Sequence, residues 1–235
     1  MIKEALQYIV GLGSAEIHLE NGQTFSDKKL HVVEEPTAEP FKVHTLSGLV
    51  DYLKSKKDGP DSVIVHVVSP TEVTVQSPLN HDRNRDFFLK AEALIPEFRF
   101  DRFYDTESFN IKLQSVFLKN EDRDIMLKVV GNIKEEMVNS IGDDGTSQSV
   151  VAKAGVASVA NVRVPNPVLL APYRTFNEVN QPESNFVFRM RSGPECALFE
   201  ADGGVWKNQA IENIREYLEA SLEEEIQDDR IAIIS

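Results

Sequence analysis

Apolar side chains recur at helical spacing in five segments of the chain. The first segment is interpreted as a short amphipathic helix that Gly11 and Gly13 end. The second starts at a capping residue, either Thr45 or Ser47, and its apolar residues lie three or four positions apart. The helical segments are residues 2–10, 44–60, 105–118, 121–136 and 203–222.

Period-two alternation of apolar and polar residues predicts the strands. A hairpin is expected in residues 15–33, because Asn21-Gly22 is a strong signal for a tight turn. The alternation is longest from Val150 to Val164, where we expect a long strand or a bent strand pair with one buried face of small residues. The other expected strands are a pair in residues 61–79 and single strands in 85–94, 184–190, 195–201 and 231–235.

An acidic, proline-bearing stretch at residues 34–40 indicates a boundary. We expect a helix and hairpin appendage in residues 1–39, a main α+β domain in 40–222, and an acidic linker with a terminal strand in 223–235. A terminal strand pairs either with the chain's own sheet edge or with the sheet of a neighbouring subunit. The residues predicted to mediate oligomerisation there are Ile231, Ala232, Ile233 and Ile234.

Charge and cysteine content narrow the range of partners. The 235 residues carry a formal net charge of −13 at pH 7, which argues against duplex nucleic acid as a partner. No run of about 18 apolar residues occurs, so neither a transmembrane helix nor a membrane partner is expected. Cys196 is the single cysteine, which excludes an intramolecular disulfide and suits the reducing cytoplasm.

Four carboxylates are candidate metal ligands. Asp143 and Asp144 lie in a Gly-Asp-Asp-Gly sequence, which is typical both of a divalent-cation loop and of a tight turn. Glu200 and Asp202 are two residues apart, a spacing that suits a metal-binding or acid-base pair on one side of a strand. The alternative for Asp202 is a helix cap ahead of the last helical segment. No cofactor is expected.

A block rich in arginines and aromatic residues is the candidate ligand-binding region. Arginine and aromatic side chains together can grip an anion or stack a base. The alternative is that the aromatic residues belong to the core and the arginines pair with acidic groups. The candidate ligand-binding residues are Tyr173, Arg174, Phe176, Arg189 and Arg191.

The downstream half resembles a known group of proteins. The residues that carry the resemblance are "DDGTSQSVVAKAG", "VPNPVLLAPYRTFNEVNQPESNFVFRM" and "FEADGGVWKNQAIENIREYL". Over residues 40–222 the chain is similar to the YfdQ-like family of uncharacterised phage and prophage proteins. The resemblance implies a phage-encoded protein acting in the cytoplasm of a bacterial host cell. It supplies no catalytic residues.

These patterns together predict an α+β fold with mixed, mostly antiparallel sheets and about four helices; one version is a capsid-like subunit of the HK97 type. The expected function is non-enzymatic self-assembly into a closed homo-oligomer, a ring or a shell. One alternative is a host-takeover or anti-defence protein that captures a nucleotide or a host protein through the arginine-rich block. Another is a metal-dependent enzyme acting on nucleic acid through the four carboxylates.

Overall fold

The chain divides into two compact units, Met1–Ala38 and Glu39–Ser235. The division falls within the stretch interpreted as a boundary. The second unit is called the body below. The computed structural model describes residues 2–13, 17–20, 23–26, 38–58, 61–80, 83–131, 141–143, 148–150, 153–154, 157–158, 166–191, 193 and 195–235.

The N-terminal unit contains helix α1 (Ile2–Gly13) and the hairpin strands β1 (Ile17–Glu20) and β2 (Gln23–Ser26). Glu20 pairs with Gln23, so the two strands are joined by a two-residue connection at the predicted position. Of the two glycines expected to end α1, Gly13 is its last residue, whereas Gly11 lies within the helix. A glycine costs a helix only about 1 kcal/mol relative to alanine, so it does not by itself end one.

The body alternates short helices with strands. Its elements in chain order are β3 (Phe41–Val43), α2 (Leu46–Ser55), β4 (Val63–Ser69), β5 (Glu72–Gln76), β6 (Phe87–Glu92), β7 (Tyr104–Asp105), α3 (Thr106–Val116), α4 (Glu121–Gly131), β8 (Ile141–Asp143), β9 (Gln148–Val150), β10 (Lys153–Ala154), β11 (Ala157–Ser158), β12 (Val168–Leu170), β13 (Ser184–Arg191), β14 (Glu195–Glu200), α5 (Trp206–Ser221), α6 (Glu223–Gln227) and β15 (Ile231–Ile234).

A five-stranded sheet forms the first half of the body, in the order β15-β4-β5-β6-β3. The β15–β4 and β3–β6 pairs are parallel and the two central pairs are antiparallel. Alternate residues of β4 are buried, as the period-two pattern predicts, whereas in β5 the three consecutive residues Val73 to Val75 are buried. The buried valines of both strands pack in one core with residues of α2 and α5. This first core includes Leu46, Leu49, Leu53, Val65, Val75, Leu89, Ile214 and Leu218.

The start of α2 is held from two directions. Thr45 Oγ1 accepts a hydrogen bond from Gly48 N at 3.1 Å, which confirms one of the two predicted caps. The carboxylate of Glu178, far along the chain, accepts from the Ser47 backbone N–H and hydroxyl at 3.1 and 3.2 Å. A carboxylate is favourable there because it faces the positive end of the helix dipole.

A four-stranded antiparallel sheet forms the second half of the body, in the order β12-β13-β14-β7. It packs against α3 and α4 around a second core that is rich in phenylalanine. The rings of Phe100 and Phe186 stack with centroids 5.1 Å apart, and Phe98 contacts Phe117 edge-on at 5.1 Å. The prediction that Phe186 and Phe188 share one buried strand face is confirmed.

The observed fold is α+β with mixed sheets, as predicted, but the described residues contain six helices instead of about four. One addition is α6, which lies in the segment expected to be an acidic linker. Ile226 packs against the first core, so apolar burial holds this short helix despite its run of glutamates. Among the described helices, none combines the length and the apolar character needed to cross a bilayer.

Of the two arrangements expected for Val150 to Val164, the single long strand is wrong at the positions the structure describes, and a strand pair is present there instead. There, Lys153 pairs with Ser158 and Ala154 with Ala157, so β10 and β11 run back on each other. The small side chains of this stretch offer little apolar surface to hold a long strand in a sheet. Residues 151–152, 155–156 and 159–165 lie outside the described part of the chain.

Candidate functional site

Arg174 lies between the two halves of the body, in the connection from β12 to β13. Its side chain is buried, with 6% of its surface exposed. Gln181 fixes the backbone on either side: its Oε1 accepts from Arg174 N at 3.0 Å and from Thr175 N at 3.3 Å. The Thr175 hydroxyl in turn donates to the carbonyl of Pro70, in the turn between β4 and β5. The connection therefore ties both sheets to Arg174.

The guanidinium of Arg174 bonds to one carboxylate and one hydroxyl, which come from two strands. Its Nη1 donates to Glu200 Oε1 at 2.9 Å, at the end of β14. Its Nη2 donates to Ser184 Oγ, and the Ser184 hydroxyl donates to Asp202 Oδ2 at 2.7 Å. The candidate ligand-binding arginine and two candidate metal ligands thus form a single network, in which the cation offsets the carboxylates.

Aromatic rings surround the same guanidinium. Its central carbon lies 3.8 Å from the ring centroid of Trp206 and 5.7 Å from that of Phe186. Cation–π contacts of this kind are strongest with tryptophan. Arg174 Nε and Trp206 Nε1 are both buried without a hydrogen-bond partner among the described residues. The guanidinium lies over the indole ring, and this cation–π contact stabilises the buried charge.

Burial and charge shift the pKa values in this network. Desolvation lowers the pKa of Arg174 to about 10, against the opposing effect of the Glu200 and Asp202 charges. The guanidinium stays protonated at neutral pH. Desolvation alone would raise the pKa of Asp202. Hydrogen bonds from Ser184 and from Gly204 N, together with the charge of Arg174, have the opposite and larger effect. The pKa of Asp202 is therefore lower than its ordinary value.

The turn after Asp202 depends on two glycines. Gly203 and Gly204 have φ angles of 65° and 81°, which non-glycine residues rarely adopt. Asp202 Oδ1 accepts from Gly204 N at 3.0 Å and so stabilises this turn. The alternative prediction that Asp202 is the N-cap of the last helix is wrong, because the cap of α5 is Val205, which makes no side-chain capping bond.

The remaining members of the arginine-rich block are dispersed. Phe176 is buried in the first core, and Tyr173 is half-buried, with its backbone N–H donating to Val116 O at 2.8 Å. Arg189 Nη1 donates to the Phe188 carbonyl at 3.1 Å. Arg191 pairs with Glu195 and lies over Phe103 at 4.2 Å. Phe176 and Arg191 fit the alternative in which the aromatic residues belong to the core and the arginines pair with acidic groups, whereas Arg189 bonds to a backbone carbonyl.

The carboxylate candidates do not converge in the described part of the chain. Asp143 ends β8 and is paired with Gln148 of β9. Asp144 lies outside the described residues. Among the described residues, no group of three histidine, cysteine or acidic side chains is placed to hold a metal ion.

Cys196 is the other group that could carry chemistry. It is fully buried in β14, and this burial raises the pKa of the thiol to about 12. A thiol that stays protonated is a poor nucleophile. Cys196 therefore contributes to the second core as a small apolar residue.

Sequence reasoning missed a pocket of about 210 Å³ between the end of α2 and the start of β4. Tyr52, Lys56, Lys57 and Arg230 are among its lining residues. Arg230 is distant from the others in sequence and reaches the pocket because β15 pairs with β4. In the sequence, the only local indication of this pocket was the cluster of lysines and an aspartate at the end of the second helical segment.

The apolar residues expected to mediate oligomerisation lie in the chain's own sheet. Ile231 to Ile234 pair in parallel with Val63 to His66. The terminal strand is thus an edge strand of the five-stranded sheet, and Ile234 is half exposed. A role of this strand in oligomerisation stays a prediction. If a second subunit pairs with β15, it does so at the edge that faces away from β4.

Comparisons with known proteins find no match to any family model, any curated protein or any solved structure. Membership of the YfdQ-like group therefore stays a prediction carried by the residues quoted above.

Proposed function

We propose that this chain is a non-enzymatic phage or prophage protein that assembles with copies of itself into a closed homo-oligomer. One observation carries the proposal. Every side chain of α1 and of the β1–β2 hairpin whose exposure the structure describes is exposed, and many of these side chains are apolar. Apolar surface of this kind on a small unit favours burial against another molecule.

The apolar surface is concentrated on helix α1. Ile2, Leu6, Ile9 and Val10 recur at helical spacing and are 80%, 57%, 62% and 72% exposed. An isolated helix of this length is only marginally stable in water, so packing of its apolar stripe against a partner is needed to hold it. We define these four residues as the α1 stripe.

A second copy of the chain is the partner that the charge distribution favours. The described charges of α1 are one lysine and one glutamate, Lys3 and Glu4, whereas the whole chain carries −13. Because the charges of Lys3 and Glu4 cancel, two copies that meet through α1 repel each other less there than at the acidic parts of the surface. Identical stripes meet across a symmetry axis, which gives a closed assembly.

A capsid-like shell of the HK97 type is the finer version of this proposal. What supports it is the division of the chain into a small N-terminal unit and a larger α+β body. A ring is the other closed arrangement. The two differ in mass, because a shell has many more subunits than a ring.

The test is the mass in solution of the intact protein, measured by light scattering after size exclusion. We expect a discrete oligomer for the wild type and a smaller species for the double variant Leu6→Gln/Ile9→Gln. The matched control is Ile111→Gln, which removes a similarly exposed apolar side chain from α3 in the body. A monomeric wild type, or an unchanged mass in the double variant, would contradict the proposal.

A further inference from the structure

The pocket beside α2 joins parts of the chain that are remote in sequence. Tyr52, Lys56 and Lys57 come from the end of α2 and the residues after it, and Arg230 comes from the residue before β15. Leu53 and Val63 supply an apolar wall. A concave space with an apolar wall and a few charged groups is the usual form of a small-molecule site.

Three cations line this pocket in a strongly acidic protein. Within the described part of the chain, none of Lys56, Lys57 and Arg230 forms an ion pair. The Arg230 guanidinium is positioned by donating from Nη2 to the Leu53 carbonyl at 2.7 Å. A lysine near the carbonyl end of α2 is expected from the helix dipole, but the arginine from another element is not.

Two carboxylates also line the pocket, and one of them is engaged. Tyr52 Oη donates to Asp58 Oδ2 at 3.0 Å. Desolvation and this neighbouring carboxylate raise the pKa of Tyr52 to about 12, so the phenol stays neutral at physiological pH. With Asp58 and Asp61 counted against three cations, the lining has a net charge of about +1 in a chain of −13.

We propose that this pocket binds the phosphate group of a small phosphomonoester, such as a sugar phosphate or a nucleoside monophosphate. A phosphomonoester carries a charge of about −1.5 to −2 near neutral pH, which suits two lysines and one arginine better than a single carboxylate does. The organic part of the ligand packs on Leu53 and Val63. This site is independent of the α1 stripe and of the proposed assembly.

The binding experiment uses the full-length protein and titration calorimetry with three probes: ribose 5-phosphate, adenosine monophosphate and inorganic phosphate. We expect at least one of the two esters to bind more tightly than inorganic phosphate, which separates a built site from an adventitious ion only. Binding is expected to weaken in high salt and as the pH falls below about 6, where the phosphate gains a proton.

The variants identify the site. Lys57→Gln removes an exposed cation of the pocket and is expected to weaken ester binding about tenfold, the effect of losing one charge-assisted contact. Lys54→Gln on α2 is the matched control, since Lys54 does not line the pocket, and it is expected to bind as the wild type does. Arg230→Lys, which keeps the charge but loses the planar guanidinium, is a second variant, checked for folding by its melting temperature.

The proposal is overturned if neither ester binds at millimolar concentration, or if all three probes bind alike. It is also overturned if Lys57→Gln and Lys54→Gln have the same affinity. Because the readout is ligand binding, each of these results is separate from the mass measurement that tests self-assembly.

Discussion

At the scale of single residues, Arg174 shows how a buried charge is tolerated between two sheets. The cation is held by Glu200 and Ser184 and covered by the ring of Trp206. Charged groups are almost never fully buried unless they are paired in this way. The same contacts place Arg174 out of reach of an external ligand, which is why its role is to connect the two halves of the body.

Loss of this cation is expected to destabilise the protein strongly. Arg174→Met leaves Glu200 and the Ser184–Asp202 pair without their partner. Because the Glu200 side chain is 39% exposed, water screens its charge, and the expected loss of stability is about 1 to 3 kcal/mol. Arg174→Lys keeps the charge but loses the planar, two-pronged contact, so an intermediate loss is expected. Urea unfolding measures both variants. An Arg174→Met variant as stable as the wild type would contradict a stabilising role of the Arg174 contacts.

The buried thiol of Cys196 predicts a dependence of stability on alkaline pH. Its pKa rises from an ordinary value of 9.0 to about 12 in the folded protein. Above pH 9 the unfolded chain therefore loses a proton that the folded protein keeps, and folding stability falls by about 1.4 kcal/mol per pH unit. Below pH 9 this contribution to the pH dependence disappears.

The measurement for Cys196 is the free energy of unfolding between pH 8 and 10 for the wild type and Cys196→Ala. The variant is expected to be less stable at every pH, because it leaves a small cavity, but to show a shallower alkaline decline. Parallel pH profiles for the two proteins would contradict the assignment. The range stops at about pH 10, since the raised pKa of Tyr52 adds a decline of the same sign above its ordinary value of 10.0.

At the scale of elements, the start of helix α2 depends on one hydroxyl. Thr45→Ala removes the acceptor for Gly48 N and is expected to cost about 1 kcal/mol of stability. Thr45→Ser keeps the oxygen and should be close to the wild type, which makes it the control. Thermal and urea unfolding report both. Equal losses for the two variants would show that the methyl group, and not the cap, is what matters at this position.

Elements whose causes are local were predictable from sequence. The helices with an apolar stripe and the strands with alternating burial were predicted because the spacing of apolar residues within each segment is enough to identify them. The hairpin at Asn21-Gly22 was found for the same reason. Between Val150 and Val164 the alternation left a long strand and a strand pair open, since its small residues satisfy the pattern without the apolar area that would fix one long strand.

Pairings between distant elements were not predictable in the same way. Nothing local to Ile231–Ile234 says that its partner is β4, or that the two run parallel. The same limit applies to the candidate sites. From the sequence, Arg174 and Glu200 belonged to two different candidate sites, and only the pairing of the strands brings them into contact. The pocket containing Tyr52 and Arg230 depends on that same long-range pairing.

At the scale of the whole molecule, the body is expected to fold without the N-terminal unit. Among the residues that the structure describes, the members of both hydrophobic cores all come from the body. A chain of residues 39–235 should therefore unfold at nearly the same temperature as the Leu6→Gln/Ile9→Gln variant. Trp206 is the only tryptophan, so its fluorescence follows the body alone. A markedly lower midpoint for the shortened chain would show that residues 1–38 stabilise the body directly.

The parallel pairing of β15 with β4 also has a consequence for biosynthesis. Val63 to His66 leave the ribosome before Ile231 to Ile234 are made, so the valine-rich edge of β4 has no β15 beside it while the residues between them are synthesised. Closing a contact across so long a stretch of chain is slow, and exposed strand edges attract other nascent chains. The pairing of β15 with β4 is therefore expected to be a late step of folding, and until then the open edge of β4 is a site where other chains or chaperones can bind.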